Sequence, residues 1–145
     1  MLMLFHKIKP TRTTLLTALL AALLLLPLPA CSTNPATGQK QFNVLSTQEE
    51  IAIGNEAAPQ FISDYGGPIP DEGIRDYVSE LGHRLAALSE RPDLPWEFHV
   101  VDSSVINAFA LPGGKVFMSR GLMAEMTNEA QLAGVLGHEI GHVTA

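Results

Sequence analysis

Two histidines and one glutamate near residue 140 are the residues of this sequence best suited to chemistry. His138 and His142 are four residues apart, and Glu139 directly follows the first of them. On an α-helix, four residues advance by about one turn, so both imidazoles lie on one face and can reach the same ion. Imidazole nitrogen suits zinc, and a carboxylate beside the ion can take a proton from water. The spacing therefore predicts half of a hydrolytic zinc site.

The alternative is a helix whose histidines face solvent and bind nothing. The surrounding pattern favours a built site, since a helix is predicted from Thr127 or Asn128, with an acidic first turn and one apolar face: Leu132, Val135, Leu136 and Ile140. Three glycines interrupt this helix: Gly134, Gly137 and Gly141. Each costs a helix about 0.8–1 kcal/mol relative to alanine, so we expect other backbone or the ion's surroundings to approach closely there.

Two further helices are predicted before the motif. The first begins at Ser46, where Ser46 and Glu49 form a capping box, and runs to about Asp64. Gly66-Gly67-Pro68 ends it, and the second helix runs from about 71 to 89. Apolar residues recur along the second helix at a spacing of three and four, which predicts one buried stripe: Ile74, Tyr77, Val78, Leu81, Leu85 and Leu88.

Strands are predicted between this helix and the motif. Residues 96–100 alternate apolar and polar, which is typical of a half-buried strand, and His99 then lies at the surface rather than at a metal. Residues 107–111 and 116–118 flank Pro112-Gly113-Gly114, which predicts a hairpin with Lys115 keeping its tip soluble. A short helical turn follows over 119–123. The order predicts an α+β domain with a small mixed or antiparallel sheet.

The first thirty residues are typical of a secretory signal peptide. A basic start precedes a run of about a dozen leucines and alanines, which is too short to span a membrane. The run ends in Leu28-Pro29-Ala30-Cys31, which resembles the lipobox of bacterial lipoproteins and makes Cys31 the expected lipidation site. Ser32 after it resembles the signal for the outer membrane. The alternative is an incidental cysteine near a conventional cleavage site.

Three regions follow from these patterns: a signal peptide over 1–30, a polar tether over 31–45 and a folded domain over 46–145. Residues 1–30 hold three basic residues and no acidic ones, so their removal changes the formal net charge from −6 to −9. That balance argues against nucleic acid as a partner and against electrostatic docking on anionic lipid. With Cys31 lipidated, no disulfide framework is left to the domain.

The motif and its upstream segments together resemble the HtpX and BepA group of gluzincin metallopeptidases, which is related to the CAAX prenyl proteases. The resemblance rests on 136–143, on 107–116, on Arg120-Gly121-Leu122 and on the tether, and it covers nearly the whole chain after residue 30. It implies a zincin-like peptidase domain, one zinc ion in a complete site, and endopeptidase activity on unfolded or misassembled envelope proteins. It also implies a periplasmic location, held by the lipid anchor at the outer membrane of a Gram-negative bacterium.

The same resemblance implies a substrate wall and a missing ligand. The strand that borders the cleft in such enzymes pairs with extended substrate, which points to Asn107, Ala108 and Phe109, although pattern alone equally allows an ordinary buried strand. The family's third zinc ligand is a glutamate downstream of the motif. We therefore expect this sequence to be the amino-terminal part of a longer enzyme, with weak zinc retention and little activity by itself.

A different class of function fits part of the same pattern. A lipoprotein that binds outer-membrane proteins as a chaperone or assembly factor could use the same strand without cleaving anything. Glu139 favours the enzyme, because a protein that only binds has no need of a general base.

Overall fold

The computed structural model describes residues 32–33, 40–41 and 45–145, which all belong to one unit, Cys31–Ala145. The predicted signal peptide, Cys31 and most of the tether lie outside the described residues. Strands β1 (Ser32–Thr33) and β2 (Lys40–Gln41) pair antiparallel. None of the described helices is long and apolar enough to cross a membrane.

Four helices are described, and each begins at a side chain that caps it. They are α1 (Thr47–Asp64), α2 (Glu72–Ala86), α3 (Arg120–Ala124) and α4 (Glu129–Thr144). The capping box at Ser46 is present, and Asn128 accepts a hydrogen bond from the backbone N–H of Gln131 at the start of α4. Such caps satisfy N–H groups that a helix start leaves without a partner. The four predicted helical segments are confirmed, with α2 ending three residues earlier than expected.

The second sheet has three strands in the order β3-β5-β4. Its strands are β3 (Glu97–Val101), β4 (Ala108–Leu111) and β5 (Lys115–Ser119). Strands β4 and β5 form the predicted antiparallel hairpin, whereas β3 runs parallel to β5. The sheet is therefore mixed, and together with the helices it confirms the α+β class. Strand β5 is central and every one of its residues is buried, while β4 is an edge strand of the described sheet.

The sheet separates two apolar clusters. One face, with Val116 and Met118, packs against α2 and α4. The other face, with Phe117 and Phe109, packs against α1. Glycines allow these approaches, because a Cβ at Gly82 of α2 would stand 2.5 Å from the ring of Phe98. Close packing of α2 and α4 on one face places the metal motif beside the sheet.

The exposure expected for Tyr77, Leu88 and Lys115 is wrong. Tyr77 and Leu88 were expected in the buried stripe of α2, but they are 43% and 86% exposed. Tyr77 instead donates a hydrogen bond to the carboxylate of Glu129 on α4, and Leu88 lies beyond the end of α2. Lys115 was expected at a soluble hairpin tip, but it is only 1% exposed. Its ammonium donates to Pro95 O at 3.2 Å, so the buried charge has polar partners.

Candidate metal centre

The two histidines of the motif converge on one point beside α4. The Nε2 atoms of His138 and His142 lie 3.0 Å apart, and their ring centroids lie 4.5 Å apart. Both side chains are exposed, on the face of α4 that turns away from the apolar core. A helix is required for this arrangement, because residues four apart are neighbours only at the helical period.

The spacing of the two nitrogens fits a shared zinc ion. Zinc binds imidazole nitrogen at about 2.0–2.1 Å, so two tetrahedral ligands stand about 3.3 Å apart. A separation of 3.0 Å between the Nε2 atoms is close to that value. Within the described residues, no group of three or more His, Cys, Asp or Glu side chains is placed to hold a metal. Two side chains of residues 45–145, His138 and His142, are therefore spaced as a shared zinc ion would require.

Glu139 occupies the interior side of the same helix turn. Its residue is only 7% exposed, yet its side chain lines an open cavity that His138 also lines. Within the described part of the chain, no hydrogen bond or ion pair engages its carboxylate. A carboxylate that faces a cavity without a protein partner is available to accept a proton from a molecule in that cavity.

The cavity is an open cleft of about 540 Å³ between the start of β4 and α4. Its walls are mostly apolar, apart from the motif and two amide side chains: Ile106, Asn107, Ala108, Leu122, Gln131, Gly134, Val135, His138 and Glu139. Apolar clefts with a few convergent polar groups are the usual form of a binding site. The cleft therefore joins one predicted metal ligand, His138, and the predicted general base, Glu139, to the start of the predicted substrate strand.

The three residues predicted to form the substrate wall lie on different faces of the sheet. Asn107 and Ala108 line the cleft together with Glu139. Phe109 points to the opposite face, where its ring stacks on Phe117 with centroids 4.8 Å apart. Alternation along β4 separates Ala108 from Phe109, since neighbouring strand residues point to opposite faces, whereas Asn107 lies before the strand begins.

Helix α4 is held at both ends by contacts with other elements. At its start, Glu129 accepts the hydrogen bond from Tyr77 of α2. Near its end, the guanidinium of Arg91 donates to Val143 O at 3.1 Å and to the carboxylate of Glu50 on α1 at 2.7 Å. A cation at a helix carboxyl end also offsets the helix dipole. These contacts fix the helix that carries both histidines.

The expected close approach at the three glycines of α4 is not found in the described part of the chain. A Cβ at Gly134, Gly137 or Gly141 would meet no described atom within 4 Å beyond its own helix. The glycines instead leave the histidine-bearing face open. His99, expected at the surface, is half-buried and stacks on Phe117, and neither it nor His83 lines the cleft.

Sequence reasoning missed the role of Ser119. Its residue is 1% exposed, and its hydroxyl accepts hydrogen bonds from the backbone N–H groups of Asn107 and Leu122, both at 3.1 Å. Both of these residues line the cleft. The available signal was a serine directly before a short helical segment, which is the usual position of an N-cap.

Comparison with known proteins gives one family match. The model of peptidase family M48 matches residues 75–145, which include the motif, the cleft and the three-stranded sheet. The chain is 37% identical to the mitochondrial metalloendopeptidase OMA1 of Schizosaccharomyces pombe over 113 residues, 77% of this chain. It is 37% identical to the beta-barrel assembly-enhancing protease of Yersinia pestis over 117 residues, 81% of this chain. The protein of that name from Escherichia coli K12 is 32% identical over 79% of this chain.

The matched regions are short relative to these proteins. They cover 34% of the yeast protein, 24% of the Yersinia protein and 23% of the Escherichia protein. The chain thus spans about a quarter to a third of the length of the curated relatives it matches. Together, the family match over residues 75–145 and the similarity to these metalloendopeptidases and proteases support an M48 metallopeptidase.

Proposed function

We propose that this chain carries the motif-bearing part of a zinc-dependent endopeptidase of the bacterial cell envelope. In this proposal His138 and His142 are zinc ligands and Glu139 is the general base. The observation that carries it is the 3.0 Å separation of the two Nε2 atoms beside a cleft that His138 and Glu139 both line. A glutamate in that cleft with no hydrogen-bond or ion-pair partner among the described residues favours catalysis over binding alone.

The chemistry divides between the metal and the side chains of α4. A zinc ion in such a site acts as a Lewis acid and lowers the pKa of a water molecule toward about 7. Glu139 accepts a proton from water in the cleft and later donates a proton to the leaving amine. No cysteine lies in residues 45–145, so no thiol nucleophile is part of this proposal.

The substrate in this proposal is a polypeptide held extended along β4. An edge strand offers main-chain hydrogen bonds that do not depend on side-chain identity. Ala108 and Phe109 begin this edge and Asn107 directly precedes it, with Asn107 and Ala108 lining the cleft. Main-chain recognition suits unfolded or misassembled envelope proteins as substrates, because these share no sequence but expose extended backbone.

The remaining parts of the proposal concern groups outside residues 45–145. We propose that a third zinc ligand, a glutamate by the family resemblance, comes from outside the described residues, since these supply two ligands. We also propose that Cys31 carries a lipid anchor and that the domain works in the periplasm. The name of the bacterial relatives, beta-barrel assembly-enhancing protease, is consistent with an envelope location.

Replacement of the general base tests the peptidase mechanism. Glu139→Gln in the full-length protein keeps size and polarity but removes the proton acceptor, so we expect peptide hydrolysis to fall by about 10²–10⁴-fold with bound zinc unchanged. Glu125→Gln is the matched control, because Glu125 is an exposed carboxylate outside the cleft. The measurements are hydrolysis of a fluorescence-quenched peptide and zinc content per chain.

Three results of this experiment have distinct meanings. Hydrolysis by Glu139→Gln at the wild-type rate would refute the mechanism. Loss of hydrolysis in both variants would mean that the effect is not specific to the cleft. In cells, a Glu139→Gln protein that hydrolyses no peptide but still supports assembly of outer-membrane proteins as the wild type does would indicate a separate binding role, as in the chaperone hypothesis.

A further inference from the structure

The buried serine at the end of β5 connects two walls of the cleft. The Ser119 hydroxyl accepts one hydrogen bond from Asn107 N–H at 3.1 Å and one from Leu122 N–H at 3.1 Å. In return, the backbone N–H of Ser119 donates to Asn107 O at 3.0 Å. Both main-chain groups of Asn107 are therefore used by one residue. The two sides of the cleft that Asn107 and Leu122 line are therefore hydrogen-bonded to the same side chain.

The hydrogen bond from Ser119 N–H to Asn107 O also fixes which residues of β4 direct their main-chain groups toward β5. Asn107 and Ser119 lie directly opposite each other, because the neighbouring register pair is Ala108 with Met118. In an antiparallel pair, hydrogen-bonded and non-hydrogen-bonded positions alternate. Phe109 opposite Phe117 is then a hydrogen-bonded position, as is Leu111 opposite Lys115.

The other residues of β4 direct their main chain away from β5. Ala108 and Ala110 occupy the non-hydrogen-bonded positions, so their N–H and C=O groups point outward, toward the free edge of the described sheet. Ala108 also lines the cleft beside Glu139. The main-chain groups of Phe109, in contrast, are used inside the hairpin. The outward groups are the ones that a polypeptide laid along this edge can reach.

The loop before β4 is held by the same region of the chain. Gly121 N–H donates to Ser103 O at 2.9 Å, and a Cβ at Gly121 would stand 2.3 Å from Ser104 O. The loop between Ser103 and Asn107 is thus held at both ends, at Gly121 and at Ser119. Ile106, which is 62% exposed, projects from it at the rim of the cleft.

From these contacts we infer that Ser119 is a positioning residue of the cleft. Its hydroxyl holds Asn107 in place at the start of β4, and this anchors the hydrogen-bond pattern in which Ala108 and Ala110 present their main chain to a bound polypeptide. This inference rests on the proposed function and extends it to the register of the substrate. Ser119 acts through the backbone, since its hydroxyl is buried and both of its acceptor bonds go to N–H groups of the protein.

Ser119→Ala removes the hydroxyl and leaves the backbone bond to Asn107. We expect the KM of the full-length protein for a fluorescence-quenched decapeptide to rise about tenfold, the effect of about 1.4 kcal/mol, with kcat changed less than about twofold. Ser46→Ala is the matched control, because Ser46 also caps a helix but lies outside the cleft. It should leave KM unchanged. Equal KM values for the two variants would overturn the role of Ser119.

A second measurement needs no variant of Ser119. Amide hydrogen exchange in the zinc-loaded Glu139→Gln protein should be fast at Ala108 and Ala110 and slow at Phe109. The same decapeptide, when bound, should slow exchange at Ala108 and Ala110. Protection of Phe109 alone, or slow exchange at Ala108 without peptide, would overturn the inferred register.

The proposed function and this inference fail in different ways. If wild-type protein with bound zinc hydrolyses no peptide, the peptidase proposal is refuted, whatever the exchange pattern. If it hydrolyses the decapeptide but Ser119→Ala behaves as Ser46→Ala does, only the positioning role is refuted.

Discussion

At the scale of single residues, one carboxylate on β3 contacts two basic side chains. Glu97 accepts a hydrogen bond from the buried Lys115 ammonium at 2.5 Å and lies 3.1 Å from His99 Nε2. Partial burial opposes ionisation of Glu97, but the hydrogen bond and charge of Lys115 outweigh it and lower the pKa of Glu97. Burial lowers the pKa of His99, against the opposing effect of Glu97. Lys115 is thus paired in the folded protein although it is remote from water.

His99 gives the folded domain a pH dependence. Its pKa lies below the ordinary value of 6.5 in the folded state, so the unfolded chain binds more protons near and below that pH. The contribution of neutral His99 to stability is therefore fully present above about pH 6.5, and it is lost as the pH falls through the pKa of His99 in the folded state. We expect the free energy of unfolding by urea to decrease between about pH 7.5 and about pH 5.5.

His99→Gln is the variant for this prediction, because glutamine does not titrate. Its absolute stability will also change, since the stacking on Phe117 is lost. The informative quantity is the slope of stability against pH, which should be smaller in the variant. An identical slope in both proteins would assign the pH dependence to other groups.

At the scale of elements, the hairpin tip is packed under α1 through glycines. A Cβ at Gly54 would stand 2.1 Å from Pro112 O, and one at Gly113 would stand 2.6 Å from Ile51 Cα. Gly113 also has φ +76°, a conformation that favours glycine. The contact between α1 and the hairpin is therefore backbone against backbone, with no space for a methyl group.

Gly54→Ala should destabilise the domain by about 1–3 kcal/mol, because overpacked backbone must shift. Gly137→Ala is the control on α4, where a Cβ would meet no described atom within 4 Å. It should stabilise by about 0.5–1 kcal/mol through helix propensity. Thermal unfolding midpoints measure both. A destabilised Gly137→Ala protein would show that another part of the protein covers this face, and an unchanged Gly54→Ala protein would contradict the packing.

The elements themselves could be predicted from local sequence, but their partners could not. Ser46 and Asn128 mark helix starts, and Pro112-Gly113-Gly114 marks a hairpin, because caps and turns depend on a few adjacent residues. The parallel pairing of β3 with β5 joins residues 18 apart and has no local signature. The burial of Lys115 likewise depends on Pro95 and Glu97, which are distant in sequence.

The candidate site, too, could be predicted from the sequence only in part. His138, Glu139 and His142 could be found from spacing alone, since one helix sets their geometry. That Ala108 rather than Phe109 lines the cleft follows from the strand register, which sequence alternation does not fix in a strand of small and apolar residues. Ser119 was missed because its role depends on contacts 12 residues away.

At the scale of the whole molecule, charge and lipidation lead to one prediction about location. With a formal net charge of −9 after residue 30, the chain gains no electrostatic attraction to anionic lipid. Cys31→Ser should therefore move the protein from the membrane fraction to the soluble fraction. Ser32→Asp is the control, which by the resemblance should stay with membranes but shift from the outer to the inner one. A Cys31→Ser protein that stays in the membrane fraction would contradict the lipid anchor.

The central position of β5 also has a consequence for the order of folding. The hairpin of β4 and β5 closes a loop of three residues, whereas β3 must find β5 across a separation of 18 residues. Closing the shorter loop costs less chain entropy and proceeds within microseconds. We therefore expect the hairpin to form first, and β3 to pair with β5 afterwards. Substitutions in the hairpin would slow folding, while those in β3 would mainly speed unfolding.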